Sequence, residues 1–138
     1  MTGTPSLAKK LGIISGTSLT VVHPPKNFSI ESPAGVHVRR SVRDDVDVIL
    51  AFFHSEDALG AELEKLASAV YPDHSLWIAW PKKSSGVPTN LTDHAVRGIA
   101  LPLGLVDNKV CAIDMTYTAL RFVWRRTLRK PGGLLTRE

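Results

Sequence analysis

The chain has 138 residues and a mass of 15.0 kDa, a length typical of one domain. Its 43% hydrophobic and 22% charged residues are typical of a globular protein and exclude a disordered or fibrous chain. The net charge of +4 equals that of residues 111–138, which carry six basic and two acidic groups.

The first residues of the chain and its single cysteine indicate where in the cell the protein is expected. Residues 1–10 hold no long apolar stretch, so they do not resemble a secretory signal. The longest apolar run has six residues, whereas a membrane-spanning helix needs about 20. A single cysteine cannot form an internal disulfide. We therefore expect a cytoplasmic protein without membrane contact, with one α/β domain over residues 1–130 and a flexible basic tail over 131–138.

The first predicted elements are short. Ser6 and Gly12 are residue types that begin and end a helix, so a short helix is predicted between them. Strands are predicted over 18–22, 36–42 and 46–53. The last of these is almost continuously apolar, which is typical of strands buried on both faces of a parallel sheet.

The strongest predicted helix covers residues 55–70. Ser55 is the expected N-cap, and Glu56 and Asp57 lie in the first turn, where the helix dipole favours negative charge. An apolar stripe follows at helical spacing, formed by Leu59, Leu63, Leu66 and Val70. A buried strand is predicted over 75–80, followed by a helix that Thr92 caps and that runs to about residue 100.

The remaining strands set the predicted fold class. Segments 106–113 and 119–125 are predicted to form an antiparallel hairpin. Strands interleaved with helices predict a single three-layer, Rossmann-like α/β fold: a mostly parallel sheet, helices on its faces and a C-terminal antiparallel hairpin. Trp77 and Trp80 lie three positions apart, an odd number, so we expect them to face opposite sides of a sheet covered on both faces.

Two resemblances extend this reading. Residues 46–83 resemble the second half of a class I S-adenosylmethionine methyltransferase fold, to which a closing hairpin such as 109–125 also belongs. More specifically, residues 6–126 resemble a bacterial family catalogued only as a domain of unknown function. The segments that carry this resemblance are LAKKLG at 7–12, AWPKKSSG at 79–86, LVDNKVCAID at 105–114 and ALRF at 119–122. The resemblance implies the fold, and it implies no activity because the family is uncharacterised.

The loop after the first strand decides whether a cofactor is expected. The methyltransferase fold holds its cofactor with a glycine-rich loop there, because glycines allow close approach and free N–H groups. Here the loop is HPPKNF over 23–28, and Pro24 and Pro25 each remove an N–H donor. The second strand carries Arg39 and Arg40 where an acidic residue would hold a ribose. We therefore expect no S-adenosylmethionine and no other cofactor.

An anion site is predicted at the strand ends. Ligands of open α/β sheets bind beyond the carboxyl ends of the strands, where the loops 23–28, 54–57 and 81–86 should gather. The third loop offers positive charge, hydroxyls and N–H groups to an anion, through Lys82, Lys83, Ser84, Ser85 and Gly86. Its spacing is not that of a P-loop. The alternative is that both lysines are simply solvated.

His54, at a strand end, belongs to the same candidate site. It could act as a general base, or it could only shield the start of the helix, since no second catalytic residue is fixed by spacing. The five histidines have no metal-ligand spacing, so no metal site is expected. Cys111 is expected to be a buried, inert thiol, with a nucleophilic role as the alternative.

A basic C-terminal end is a third feature. It combines Trp124 with Arg125, Arg126, Arg129 and Lys130. Such a cluster predicts weak, salt-sensitive association with nucleic acid, and no motif of sequence-specific recognition accompanies it.

The sequence thus favours one function over two alternatives. The favoured function is a non-catalytic binding or regulatory module for an anionic small molecule or a protein partner. One alternative is a small, transferase-like enzyme that uses the strand-end loops, with Lys82, Lys83 and His54. The other is a weak, non-specific nucleic-acid binder.

Overall fold

The computed structural model describes residues 6–26, 28–30, 35–39 and 46–128. Over these residues the chain forms α1 (Leu7–Lys10), β1 (Ser18–Val22), β2 (His37–Arg39), β3 (Val48–Phe52), α2 (Glu56–Ala69), β4 (Ser75–Pro81), α3 (Asp93–Ala100), β5 (Leu105–Ala112) and β6 (Tyr117–Trp124). Short 3-10 helices cover Lys83–Ser85, Leu101–Leu103 and Arg126–Leu128. No helix in this part of the chain is long and apolar enough to span a bilayer.

The strands form one sheet in the order β2-β1-β3-β4-β6-β5. β2, β1, β3 and β4 run parallel to their neighbours, whereas β6 is antiparallel to both β4 and β5. The predicted fold class is therefore confirmed, with a mostly parallel sheet that the antiparallel hairpin β5–β6 extends.

Local capping explains where the two longer helices begin. The Ser55 hydroxyl accepts a hydrogen bond from the N–H of Ala58 at the start of α2, and Thr92 accepts one from Ala95 at the start of α3. Both N-caps are the predicted residues, because this signal is carried by side chains next to the helix. Gly104 ends the helical segment with a φ of +107°, which L side chains rarely adopt.

Both faces of the sheet are buried. On one face, the side chains of α2 and α3 pack on Trp80, Leu120 and other apolar residues of the sheet. On the other face, α1 and the side chains of Phe28, Ile30 and Val36 cover a second cluster around Trp77. Trp77 and Trp80 thus face opposite sides, as predicted. The three layers are α2 and α3, the sheet, and the short N-terminal elements.

Two predicted segments differ in extent. The predicted strand 36–42 is observed as β2, while residues 40–45 lie outside the described residues. β5 and β6 begin one and two residues earlier than predicted, at Leu105 and Tyr117. The tail 131–138, with Arg129 and Lys130, also lies outside the described residues.

An irregularity in β5 changes which side chains share a face. Asp107 lies opposite Phe122, but Lys109, two residues later, lies opposite Arg121. Because Phe122 and Arg121 are adjacent on β6, Asp107 and Lys109 face opposite sides of the sheet. Val110 is then opposite Leu120, on the face that α2 and α3 cover.

Candidate functional site

The carboxyl ends of β1, β3 and β4 lie at one edge of the sheet, because these strands are adjacent and parallel. Aromatic side chains pack at this edge. The ring of Phe28 meets that of Phe52 edge to face at 5.0 Å between centroids, and Tyr117 meets Phe52 at 5.2 Å. The segment after β1 thus contributes an apolar contact to the sheet edge.

Two histidines lie at this edge, and each has a side-chain partner. His23, with a φ of +53°, contacts Glu62 through Nε2 and Oε2 at 2.7 Å and packs against the ring of Phe53. His54 is exposed, and its Nε2 lies 2.8 Å from the Tyr117 hydroxyl. Burial raises the pKa of that hydroxyl, and the charge of Asp114 adds to the effect.

The loop after β4 uses much of its hydrogen-bonding capacity internally. The Ser85 hydroxyl donates to the Lys82 carbonyl at 2.7 Å and accepts from the N–H of Val87 at 3.2 Å. The N–H of Gly86, with a φ of +78°, donates to the Lys83 carbonyl. The Ser85 hydroxyl and the Gly86 N–H, two of the donors expected for an anion, are thus engaged within the turn, because it closes on itself as a 3-10 helix.

The two lysines of this loop remain unpaired. Neither Lys82 nor Lys83 forms an ion pair with any residue that the structure describes. The N–H of Lys82 donates to the carbonyl of Thr116 at 2.7 Å, which fixes the loop to the hairpin. The main chain is therefore anchored while both ammonium groups stay available to a ligand.

Lys82 and Lys83 line a cavity of about 520 Å³ between α3 and the hairpin. The sheet contributes Trp80, Val110, Thr118 and Leu120, and the start of α3 contributes Leu91, Thr92, Asp93 and Arg97. The strand register explains the floor, since Trp80 pairs with Thr118 across β4 and β6, and Leu120 pairs with Val110 across β6 and β5.

Arg97 is held in the cavity wall by two carboxylates. Its Nε donates to Asp107 at 3.0 Å and its Nη1 to Asp93 at 3.2 Å. The hydrogen bond to Asp107 is the main cause of the raised pKa of the guanidinium, and the charges of Asp107 and Asp93 raise this pKa further. Burial acts in the opposite direction and lowers it. The irregularity in β5 makes this contact possible, because it turns Asp107 toward α3 and still leaves Val110 on the cavity floor.

The structure separates the predicted site residues into two groups. Lys82 and Lys83 line the cavity, whereas His54, Ser84, Ser85 and Gly86 are not among the described residues that line it. Sequence reasoning missed Arg97 and the apolar floor. The spacing of Asp93 and Arg97, four apart on one helix, is the signal that could have revealed their pairing.

Cys111 lies on the opposite face of the sheet. It is 8% exposed and lines a cavity of about 360 Å³ with Trp77, Lys10 and Lys109. Burial raises the pKa of its thiol, and the positive charges of Lys10 and Lys109 only partly offset this. The predicted burial of Cys111 is confirmed. A raised pKa leaves less of the nucleophilic thiolate at neutral pH, and the inertness of the thiol stays a prediction.

A third cavity, of about 380 Å³, lies at the amino ends of the strands. Its charged lining residues are Asp47, Asp73, His74 and Arg121. His74 lies 3.7 Å from a carboxylate oxygen of Asp47 and 3.7 Å from one of Asp73. Among the described residues, no group of three His, Cys, Asp or Glu side chains is arranged to hold a metal ion.

Solved structures of other proteins share this fold. A SAM-dependent methyltransferase from Aquifex aeolicus matches with a TM-score of 0.59 and 14% identity, over 84% of this chain and 86% of that one. A possible exported protein from Bordetella parapertussis matches with a TM-score of 0.58 and 8% identity, over 86% and 66%. A protein in the NADB-Rossmann superfamily from Streptococcus agalactiae matches with a TM-score of 0.51 and 11% identity, over 91% and 70%.

These similarities establish a methyltransferase-like, Rossmann-type fold. At such identities they say nothing about activity, because one fold carries many functions. No protein-family model and no curated protein sequence matches the chain.

The residues after β1 do not fit S-adenosylmethionine, the cofactor on which the Aquifex protein depends. Pro24 and Pro25 have no N–H to donate. The N–H of Phe28 donates to the Pro25 carbonyl at 3.0 Å, and its ring packs on Phe52. Among the described residues of this segment, Pro24 and Pro25 thus offer no N–H and Phe28 donates its N–H within its own turn, at the point where a cofactor loop would need open donors.

Proposed function

We propose that the protein is a non-catalytic binding module for an anionic small molecule, which it takes into the cavity between α3 and the hairpin. The observation that carries the proposal is the position of Lys82 and Lys83, unpaired among the described residues, in the lining of that cavity. A cavity of about 520 Å³ lies in the range of roughly 300–1,000 Å³ that ligand sites occupy.

The charge of the cavity favours an anion. Its lining contains three cationic side chains and one carboxylate, Asp93. Arg97 is already paired with Asp93 and Asp107, so the two lysines supply the uncompensated charge. In a partly enclosed site such charges attract anions more strongly than they do in bulk water.

The chemistry of the lining favours binding over catalysis. Asp93 is the only carboxylate among the described lining residues, and it accepts hydrogen bonds from Arg97 and from the N–H of His94. No histidine or cysteine belongs to this part of the lining. The described lining therefore offers neither an imidazole nor a thiol as general base or nucleophile, and its one carboxylate is already hydrogen-bonded.

The finer identity of the chain forms part of the same proposal. We assign it to the uncharacterised bacterial family that residues 6–126 resemble, with a cytoplasmic location and a regulatory role for the bound ligand. A protein partner that recognises the anion-bound form of the protein is compatible with this role. We expect no sequence-specific binding of nucleic acid.

Thermal unfolding in the presence of phosphate, sulfate or acetate tests the proposal. Each anion that binds the native state should raise the melting temperature, and the double substitution K82A/K83A should abolish the increase. The matched control is K26A/K65A, which removes two exposed lysines elsewhere and the same charge. An equal increase in all three proteins would identify a general salt effect and contradict the proposal.

A small enzyme is the second candidate function, and the contact between His54 and Tyr117 at 2.8 Å favours it. H54A distinguishes the two functions. The binding module predicts that H54A leaves the anion-induced increase in melting temperature unchanged. Loss of the increase in H54A would instead place the anion beside the His54–Tyr117 pair and favour the enzyme.

A further inference from the structure

We infer that the ligand of this cavity is an amphipathic anion, in which one carboxylate or phosphate group is attached to a compact apolar body such as an aromatic ring. This inference rests on the proposed function and specifies its ligand class. It follows from three features of the cavity: an apolar floor, an indole N–H that no described residue accepts a hydrogen bond from, and positive charge confined to one loop and one paired arginine.

The first feature is the apolar floor. Trp80, Leu120 and Val110 lie on three neighbouring strands and line the cavity together. Val110 is 71% exposed, although it lies beside buried apolar residues. A bare anion would leave this surface in contact with water, whereas an apolar body would cover it and gain about 25 cal/mol per Å² of buried area.

The second feature is the indole of Trp80. Trp77 and Trp124 donate their indole N–H groups to the carbonyls of Leu11 and Ala67, at 3.1 and 2.8 Å. Trp80 is 5% exposed as a whole; its indole N–H has no hydrogen-bond partner among the described residues and is not one of their fully buried unpaired atoms. The N–H is therefore open to solvent, and a ligand with an acceptor atom next to its ring can take the place of water there.

The third feature is the distribution of charge. Arg97 is already paired with Asp93 and Asp107, and the half-buried carboxylate of Asp107 would lose its ion pair if Arg97 turned to a ligand. Recognition of the anion therefore falls to Lys82 and Lys83, which are adjacent in the loop that lines the cavity. Two lysines on one loop match one anionic group better than the chain of charges in a polyphosphate.

Isothermal titration calorimetry with matched pairs of ligands tests this inference. The pairs are acetate with benzoate and phosphate with phenyl phosphate, and benzamide is the neutral analogue of benzoate. The aromatic member of a pair should bind at least about tenfold more tightly, because several apolar carbons leave water. Benzamide should show no measurable binding, since it lacks the charge that Lys82 and Lys83 recognise.

Two variants locate the apolar body. V110S changes an exposed side chain, so it should fold normally and weaken benzoate about fivefold while leaving acetate unchanged. W80F removes the indole N–H. It should weaken benzoate and abolish any quenching of tryptophan fluorescence that benzoate causes in the native protein.

The outcomes distinguish the proposed ligand class from the proposed anion site. Preference for the aromatic member, reduced by V110S, supports the ligand class. Equal affinity within each pair, still abolished by K82A/K83A, would overturn the ligand class and leave the anion site intact. No binding of any anion would overturn both.

Discussion

Replacement of Trp77 by phenylalanine probes how the second face of the sheet is closed. Trp77 is 1% exposed in β4, and its indole N–H donates to the carbonyl of Leu11, which follows α1. Phenylalanine keeps a ring in the core but leaves the Leu11 carbonyl without this donor. That loss costs about 1–3 kcal/mol, and the smaller ring removes about 1 kcal/mol of burial. We expect the free energy of unfolding to fall by about 2–4 kcal/mol.

Urea denaturation and calorimetry measure this loss. For a domain of this length, each kcal/mol lowers the melting temperature by roughly 3–5 °C, so W77F should melt about 6–20 °C lower. The matched control is W80F, which makes the same change without breaking a hydrogen bond to a described residue, and it should cost about 1 kcal/mol. Equal losses in W77F and W80F would show that the bond from Trp77 to Leu11 does not anchor the N-terminal segment.

Three further predictions concern the backbone, the thiol and the cofactor. G104A should lower the free energy of unfolding, measured in urea, by about 1–2 kcal/mol, because φ is +107° at this position. The control G98A lies in helix α3 with open space around it. It should raise the free energy of unfolding by about 0.5–1 kcal/mol. Burial raises the pKa of Cys111 in the folded state, so the stability it contributes is complete below pH about 8.5 and is lost as pH rises toward the folded pKa. C111S should remove that pH dependence in denaturation curves, and native Cys111 should react with iodoacetamide more slowly than it does in urea. Calorimetry with about 1 mM S-adenosylmethionine should show no saturable heat, because Pro24 and Pro25 supply no N–H donors; saturable binding would contradict this reasoning.

Local signals made much of the fold predictable. Ser55 and Thr92 cap the helices that follow them, and the continuously apolar segments at β3 and β4 became adjacent parallel strands. These features depend on residues close in sequence or on simple periodicity. The opposite orientations of Trp77 and Trp80 followed from strand alternation alone.

The cavity depends on features that one strand's pattern does not reveal. Residues 105–112 give no sign that the strand departs from regular alternation at Asn108. That departure turns Asp107 toward Arg97 and still places Val110 on the cavity floor. Its position is set by pairing with β6, so it appears only in the assembled hairpin.

The loop after β4 was predicted in part. The position of Lys82 and Lys83 after a buried strand was enough to select them as candidates. The hydroxyl of Ser85 bonds within its own turn, because a serine two or three residues from backbone donors and acceptors competes for them locally. Composition alone does not distinguish such a hydroxyl from one that faces a ligand.

The most direct test of the anion site is a nuclear magnetic resonance titration of the labelled protein with benzoate. We predict saturable shifts at the amides of Lys82, Lys83, Val110 and Thr118 and at the indole N–H of Trp80, all lost in K82A/K83A and retained in K26A/K65A. Shifts centred instead on Lys10, Lys109 and Cys111, or shifts that persist unchanged in K82A/K83A, would contradict the proposed site.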